Sequence, residues 1–265
     1  MFAAYFEVAH ALFAGSVERA RTTFDELLDR TADPVEFEIV PYSPRLGADY
    51  ERFPRLVFAE FSAANPMVEP EPETVVRSTQ VIRDALDLIA SVEPGIRAEI
   101  DGLVSRIFIA GEAEGERTRP FGGGTSLMSW GATFFNVDGH PDVWSTTQFL
   151  AHEVLHSVLL GRSVSTPLVE NSIHEEYPSP LRHDLRPMDG IYHATLVCGR
   201  LVTFNRAWLD SGTITSEDRA RSEQAIVNSA AHYDAGVHTI VQDARLTELG
   251  SELLDESQRL VAAAR

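Results

Sequence analysis

At 265 residues, 44% of them hydrophobic and 23% charged, the chain can bury a substantial core and has the balance of an ordinary globular protein. A formal net charge of -18 and a pI near 4.8 exclude a nucleic-acid-binding face of the usual basic kind. The single cysteine, Cys198, excludes an internal disulfide and a Cys-rich metal site; lysine is absent, so every fixed cation is an arginine.

Residues 2 to 30 predict one long helix or two short ones, with Phe6, Leu12, Phe13, Val17, Phe24, Leu27 and Leu28 at helical spacing and Asp33-Pro34 ending the run. The segment Met1 to Gly15 lacks a basic start and carries Glu7 and His10, so it reads as a helix rather than a signal peptide. No apolar run is long enough to span a bilayer, and a soluble, cytoplasmic protein is expected. Phe37 to Val40 suggests a short strand. Residues 41 to 73, rich in proline, aromatics and acids, read as irregular or partly helical, with a linker-like break at Glu69-Pro70-Glu71-Pro72. Val75, Val76, Val81, Ile82, Leu86 and Ile89 mark an amphipathic helix over 73–90, and a shorter helix near Pro94 to Leu103 leads into a strand at Val104 to Ile109. The Phe121-Gly122-Gly123-Gly124 run has no following lysine and fits no phosphate loop, so a hinge or a close backbone approach is expected. Ser126 to Asn136 reads as a strand bent at Gly131 or as a hairpin, able to align an extended peptide or simply part of the core.

The stretch Thr146 to Gly161 holds His152-Glu153-Val154-Leu155-His156 and reads as one buried helix, capped by Ser145, Thr146 or Thr147 and stopped by Gly161. Residues four apart share a helical face, so His152 and His156 can offer two imidazole nitrogens to one metal ion, with Glu153 just off that face. In so apolar a helix these polar side chains need partners, and a metal supplies them together. The chain then runs polar to Pro187. Asp189 is expected to cap a helix from Gly190 to about Leu209, with Ile191, Ala194, Val197, Leu201 and Phe204 as its apolar face. Thr215 to Asp218 opens a further helix, and the helical, acidic remainder has a break near Gly250.

A functional site needs a third protein ligand. Glu175 or Glu176, 19 or 20 residues beyond His156, would suit a zinc peptidase with Glu153 as general base. His193, 37 residues beyond His156, would be held rigidly by its helix. His174 and His183 stand in looped surroundings and are weaker candidates, and His193 could also be a core histidine.

The run Ser179-Pro180-Leu181-Arg182-His183-Asp184-Leu185-Arg186-Pro187-Met188-Asp189-Gly190-Ile191-Tyr192-His193, following His152-Glu153-x-x-His156, resembles the HExxH-type 2-oxoglutarate-dependent peptide β-hydroxylases that tailor ribosomally synthesised peptides. The resemblance is strongest over residues 120 to 210, adds little over the first 70, and departs at Leu185, where the family pattern has proline. It implies that His152, His156 and His193 hold iron(II), with 2-oxoglutarate and O₂ as co-substrates and a precursor peptide as partner. Three ligands on one face of an octahedron leave three positions for the 2-oxo acid and O₂. The distal carboxylate of 2-oxoglutarate wants a bidentate cation, and Arg182 and Arg186 stand in the segment leading to His193. Glu153 would then orient a ligand or the substrate instead of activating water. Cys198 reads as a small buried hydrophobe.

The expectation is therefore a single catalytic domain over 1–265, with an N-terminal helical and irregular part (1–72) and a metal-site core with C-terminal helices (73–265). Its fold class would be α+β, mostly helical and zincin-like, with a small mixed or antiparallel sheet on the metal-binding helix. The expected activity is an iron(II)- and 2-oxoglutarate-dependent dioxygenase. The alternatives are a zinc metallopeptidase and a non-catalytic peptide-binding module.

Overall fold

A computed structural model of the protein describes residues 2–29, 36–57, 67–113, 121–179 and 184–265. The fold is α+β, mostly helical with a small mixed sheet. The chain divides into two compact units, one of Met1–Asp87 and Ala98–Thr147, the other of Leu88–Arg97 and Gln148–Arg265. Among the described residues no helix is long and apolar enough to cross a membrane.

The first unit is built on a sheet. Strands β1 (Glu38–Pro41), β3 (Arg106–Glu112) and β5 (Ala132–Asn136) run parallel, and β4 (Gly123–Thr125) closes the edge antiparallel to β5. The short β2 (Met67–Val68) pairs with the far end of β3. Strands β3 and β5 are buried almost throughout, which is why they read as continuous apolar runs rather than alternating ones. Phe108 and Phe134 stack at 5.3 Å on neighbouring strands, and Phe53 of α3 (Ala48–Val57) closes on both at 5.1 Å. Helix α3 falls in the stretch read as irregular or partly helical. Pro54 and the surrounding acids obscured it, yet Phe53 anchors it to the core.

Of the one long or two short helices expected at the N-terminus, the structure has the two, α1 (Phe2–Phe13) and α2 (Val17–Asp29), broken at Gly15. Helix α1 is inverted relative to its composition. Ala3, Ala4, Glu7 and Ala11 face inward, whereas Leu12 and Phe13 are exposed, Phe13 at 94%. Buried Glu7 is bound by Arg19 and by Arg55, the latter at 3.4 Å, and this ion-pair cluster accompanies the roll of the helix that leaves the bulky side chains outside.

Helices α4 (Pro72–Val92) and α5 (Pro94–Leu103) match the expected ones. Of the strand or hairpin expected over Ser126 to Asn136, the strand covers Ala132–Asn136; a 3-10 turn, Leu127–Ser129, precedes Gly131, which sits at φ 85 just before β5. The Gly122–Gly124 run is not a hinge: Gly123 and Gly124 pair with Phe135 and Phe134.

The second unit gathers most of α6 (Val143–Arg162), the hairpin β6 (Glu176–Pro178) and β7 (Leu185–Pro187), and helices α7 (Met188–Asp210), α8 (Ser216–Asp243) and α9 (Glu248–Ala264). Thr215 and Thr247 cap α8 and α9 through side-chain acceptors, so the expected break near Gly250 falls at Ala244–Thr247 instead. One core cluster joins Leu155 and Leu159 of α6 to Ile191, Tyr192, Leu196 and Val197 of α7, with Ile240 and Leu254 behind them.

Helices α7, α8 and α9 meet along a seam of glycines. A Cβ at Gly236 would lie 2.1 Å from Thr195 Oγ1, and one at Gly199 would lie 2.8 Å from the Tyr233 ring. One at Gly250 would strike the Leu168 carbonyl oxygen, and the Gly250 carbonyl accepts the Tyr192 hydroxyl at 2.7 Å. The α8–α9 connection is also tied to the segment before β6. Asn171 donates to Tyr177 Oη and to the Asp243 carbonyl and accepts from the Arg245 amide, while Arg245 meets both Glu175 carboxylate oxygens at 3.1 Å.

Candidate metal centre

Helix α6 starts earlier than its sequence suggests. Asp142 Oδ1 accepts from the Ser145 amide at 2.8 Å, so Asp142 is the capping side chain, and Ser145, Thr146 and Thr147 lie inside the helix. The end differs as well. Gly161 lies within the helix, which runs to Arg162, and is absent from the positive-φ glycines among the described residues. Neither shift moves the histidines off their common face. His152 Nε2 and His156 Nε2 converge to 3.2 Å.

That separation tests whether the pair fits a metal ion. With metal–nitrogen bonds of about 2.1 Å, two imidazole nitrogens on one ion stand roughly 3.0 Å apart at a right angle and roughly 3.4 Å apart at a tetrahedral angle. The observed value lies between. It also suits one neutral imidazole donating to the other. Burial holds the His156 imidazole well below its ordinary range, reinforced by the neighbouring His152 and His193 rings, and so favours the neutral ring that a metal ligand needs.

Helix α7 brings the third ring. Its N-cap is Pro187, not Asp189; the chain passes directly from β7 into the helix, and Asp189 falls in the first turn, where its charge suits the helix dipole. One turn further, the buried His193 ring stacks on that of His156, with centroids 5.8 Å apart and planes 15° from parallel. Its Nε2 lies 3.8 Å from Asp189 Oδ1. Burial lowers the pKa of His193, and the Asp189 charge opposes that shift. The three imidazoles are therefore assembled in one place. Among the described residues, however, no group of three or more His, Cys, Asp or Glu side chains stands arranged to hold an ion. A triad requires the His193 nitrogen to turn in to the His152–His156 pair.

Glu153 is buried, and its Oε1 lies 3.8 Å from His152 Nε2. Glu175 is engaged elsewhere: it accepts the Tyr177 hydroxyl at 2.7 Å and both contacts of Arg245. Glu176 is exposed on β6. His174 is exposed, as its looped surroundings suggested. Arg186 sits on β7 opposite Tyr177, with its Nε 3.1 Å from Asp184 Oδ2. Arg182 and His183 lie outside the described residues.

Cys198 is buried, as expected, and burial pushes its thiol up to about 11, which removes it as a nucleophile near neutrality. The sequence reading missed a carboxamide pair one turn before His152, in which Gln148 and Asn205 each donate to the other, at 3.1 and 2.7 Å. A lone glutamine four residues before His152 in so apolar a helix was the available signal.

No known protein-family model and no curated protein matches the chain.

Proposed function

We propose that the protein is an iron(II)- and 2-oxoglutarate-dependent dioxygenase that hydroxylates a side-chain β-carbon of a ribosomally synthesised peptide. The observation that carries this reading is the placing of the His193 imidazole against the convergent His152–His156 pair while Glu175 is taken up by Arg245. Bound iron, with O₂ and 2-oxoglutarate, would supply the oxidising power: one oxygen atom enters the peptide C–H bond, the other enters succinate, and CO₂ is lost.

The chain's own contribution is placement. His152, His156 and His193 would be the protein ligands and leave the remaining positions to small molecules. Glu153, beside His152, would orient that ring. Arg186, and Arg182 in the same segment, would receive the distal carboxylate of the 2-oxo acid. Leu155, Ile191 and Leu196 belong to the buried cluster around these helices and would help keep bulk water out. A net charge of -18 disfavours nucleic acid as a partner, and the family resemblance makes a peptide the expected one.

The test is anaerobic reconstitution with iron(II) and 2-oxoglutarate, followed by O₂ and a candidate precursor peptide. Succinate and a peptide mass increase of one oxygen, both dependent on His193, are expected. Peptide cleavage with zinc, abolished by Glu153→Gln, would replace the oxygenase reading with hydrolysis. Peptide binding without bound metal would replace both with a binding module.

A further inference from the structure

We propose that the Gln148–Asn205 carboxamide pair is the register lock that brings the imidazole of α7 to those of α6. The inference is geometric. It serves the metal-centre reading but can be tested without metal. Gln148 Nε2 donates to Asn205 Oδ1 at 3.1 Å, and Asn205 Nδ2 donates to Gln148 Oε1 at 2.7 Å. Asn205 is fully buried, and its Nδ2 also donates to the Leu201 carbonyl at 2.8 Å. Donors and acceptor of this amide are thus all matched, which a buried amide needs and which few other arrangements provide.

The neighbouring contacts do not define an axial position so sharply. Around the histidines, Leu155 and Leu159 of α6 share one buried apolar cluster with Ile191, Leu196 and Val197 of α7. Apolar ridges of this kind can interdigitate at more than one offset. A reciprocal amide pair cannot. A slide of one helical turn is about 5.4 Å, enough to break both bonds. The same slide would take the His193 ring out of its stack on His156, where the centroids lie 5.8 Å apart. Gln148 stands one turn before His152 on the histidine face of α6, whereas Asn205 is twelve residues beyond His193 on α7, which places the lock at a distance from the rings it aligns. A buried polar residue that fixes helix register at some cost in stability is the best-attested use of such groups.

The experiment compares the wild type with Gln148→Leu, Asn205→Leu, the double leucine variant and the exchanged pair Gln148→Asn with Asn205→Gln. Thermal unfolding is read first. Each single leucine leaves one amide buried without its partner and should lower Tm by several degrees. The double variant should recover most of that loss. The deciding readout is the ring-current shift of the His156 ring protons in the metal-free protein, assigned by its disappearance in His193→Ala. It should collapse or split in the folded double leucine variant and persist in the exchanged pair. Cobalt(II) titration gives the second readout: affinity should fall at least tenfold in the double variant and stay within threefold in the exchanged pair.

An unchanged ring-current shift in the folded double variant overturns the proposal. So does a folded exchanged pair that loses the shift, and this second comparison decides the matter if the double variant does not fold. A wild type that binds no cobalt refutes the metal-centre reading, and the ring-current comparison still decides the register lock.

Discussion

Replacing Gly236 with alanine asks whether the seam between α7 and α8 is as closed as the structure shows. The added Cβ would stand 2.1 Å from Thr195 Oγ1 and 3.0 Å from both Thr195 Cβ and Cγ2. An ordinary carbon–oxygen contact is near 3.4 Å, so the deficit is about 1.3 Å. Thr195 cannot easily yield. It is fully buried, β-branched, and its hydroxyl donates to the Ile191 carbonyl at 2.7 Å. The helices must separate, and an overlap this deep falls at the upper end of overpacking costs, about 2–3 kcal/mol. Alanine favours a helix over glycine by about 1 kcal/mol, which offsets part of that cost. A net loss of about 1–2 kcal/mol corresponds to a Tm lower by roughly 2–8 °C for a chain of this size. Thermal unfolding followed by circular dichroism measures it. In the double variant with Thr195→Ala the loss should shrink, because the obstructing hydroxyl is gone. A Gly236→Ala protein with an unchanged or higher Tm would refute the reasoning, since helix propensity would then have met no obstacle.

Other expectations follow from the site and its surroundings. His193→Ala should abolish tight iron or cobalt binding, whereas Glu175→Ala should leave it unchanged; equilibrium dialysis with metal analysis separates the two, and the reverse result would favour the zinc peptidase. The Tyr177 hydroxyl, and after it Arg245, hold the Glu175 carboxyl below its usual range. A depressed carboxyl contributes stability above its unfolded-state pKa and loses that contribution as pH falls through the folded value. The Glu175 side-chain carbon resonance should therefore titrate below 4.5, and Tyr177→Phe should move its midpoint upward. The effect on global stability will be small, because the pair is exposed to solvent. Cys198 should resist a thiol reagent at pH 8 in the native protein and react fully in denaturant; fast native labelling would contradict its burial.

The helices around the site were largely legible because long apolar periodicity survives errors at either end. The meeting of His152 and His156 follows from helical spacing alone, whereas His193 stood open beside Glu175 and Glu176 and was singled out only by the family resemblance. Boundaries were harder. Asp142 lies outside the expected caps Ser145, Thr146 and Thr147, although its carboxylate caps α6, and Gly161 was given a role that its helical conformation does not need. Helix α3 was obscured by Pro54, and the three-residue strands β6 and β7 were hidden among prolines and charges. The parallel pairing of β1, β3 and β5 joins segments far apart in sequence, and no local pattern announces it. The outward face of α1 was unexpected for another reason: a buried Glu7 with its arginines accompanies a roll that simple periodicity would reverse. The Gln148–Asn205 pair was missed because partners on two helices become visible only when the helices meet.

The glycine seam has a consequence for how this chain can diverge. At positions 199, 236 and 250 a side chain would intrude on a neighbouring segment, while much of the surrounding helix surface faces solvent and is free to drift. Kin that keep the same close approach should therefore betray themselves by smallness at those sites, spaced as they are here from the paired histidines, even after most other letters have changed.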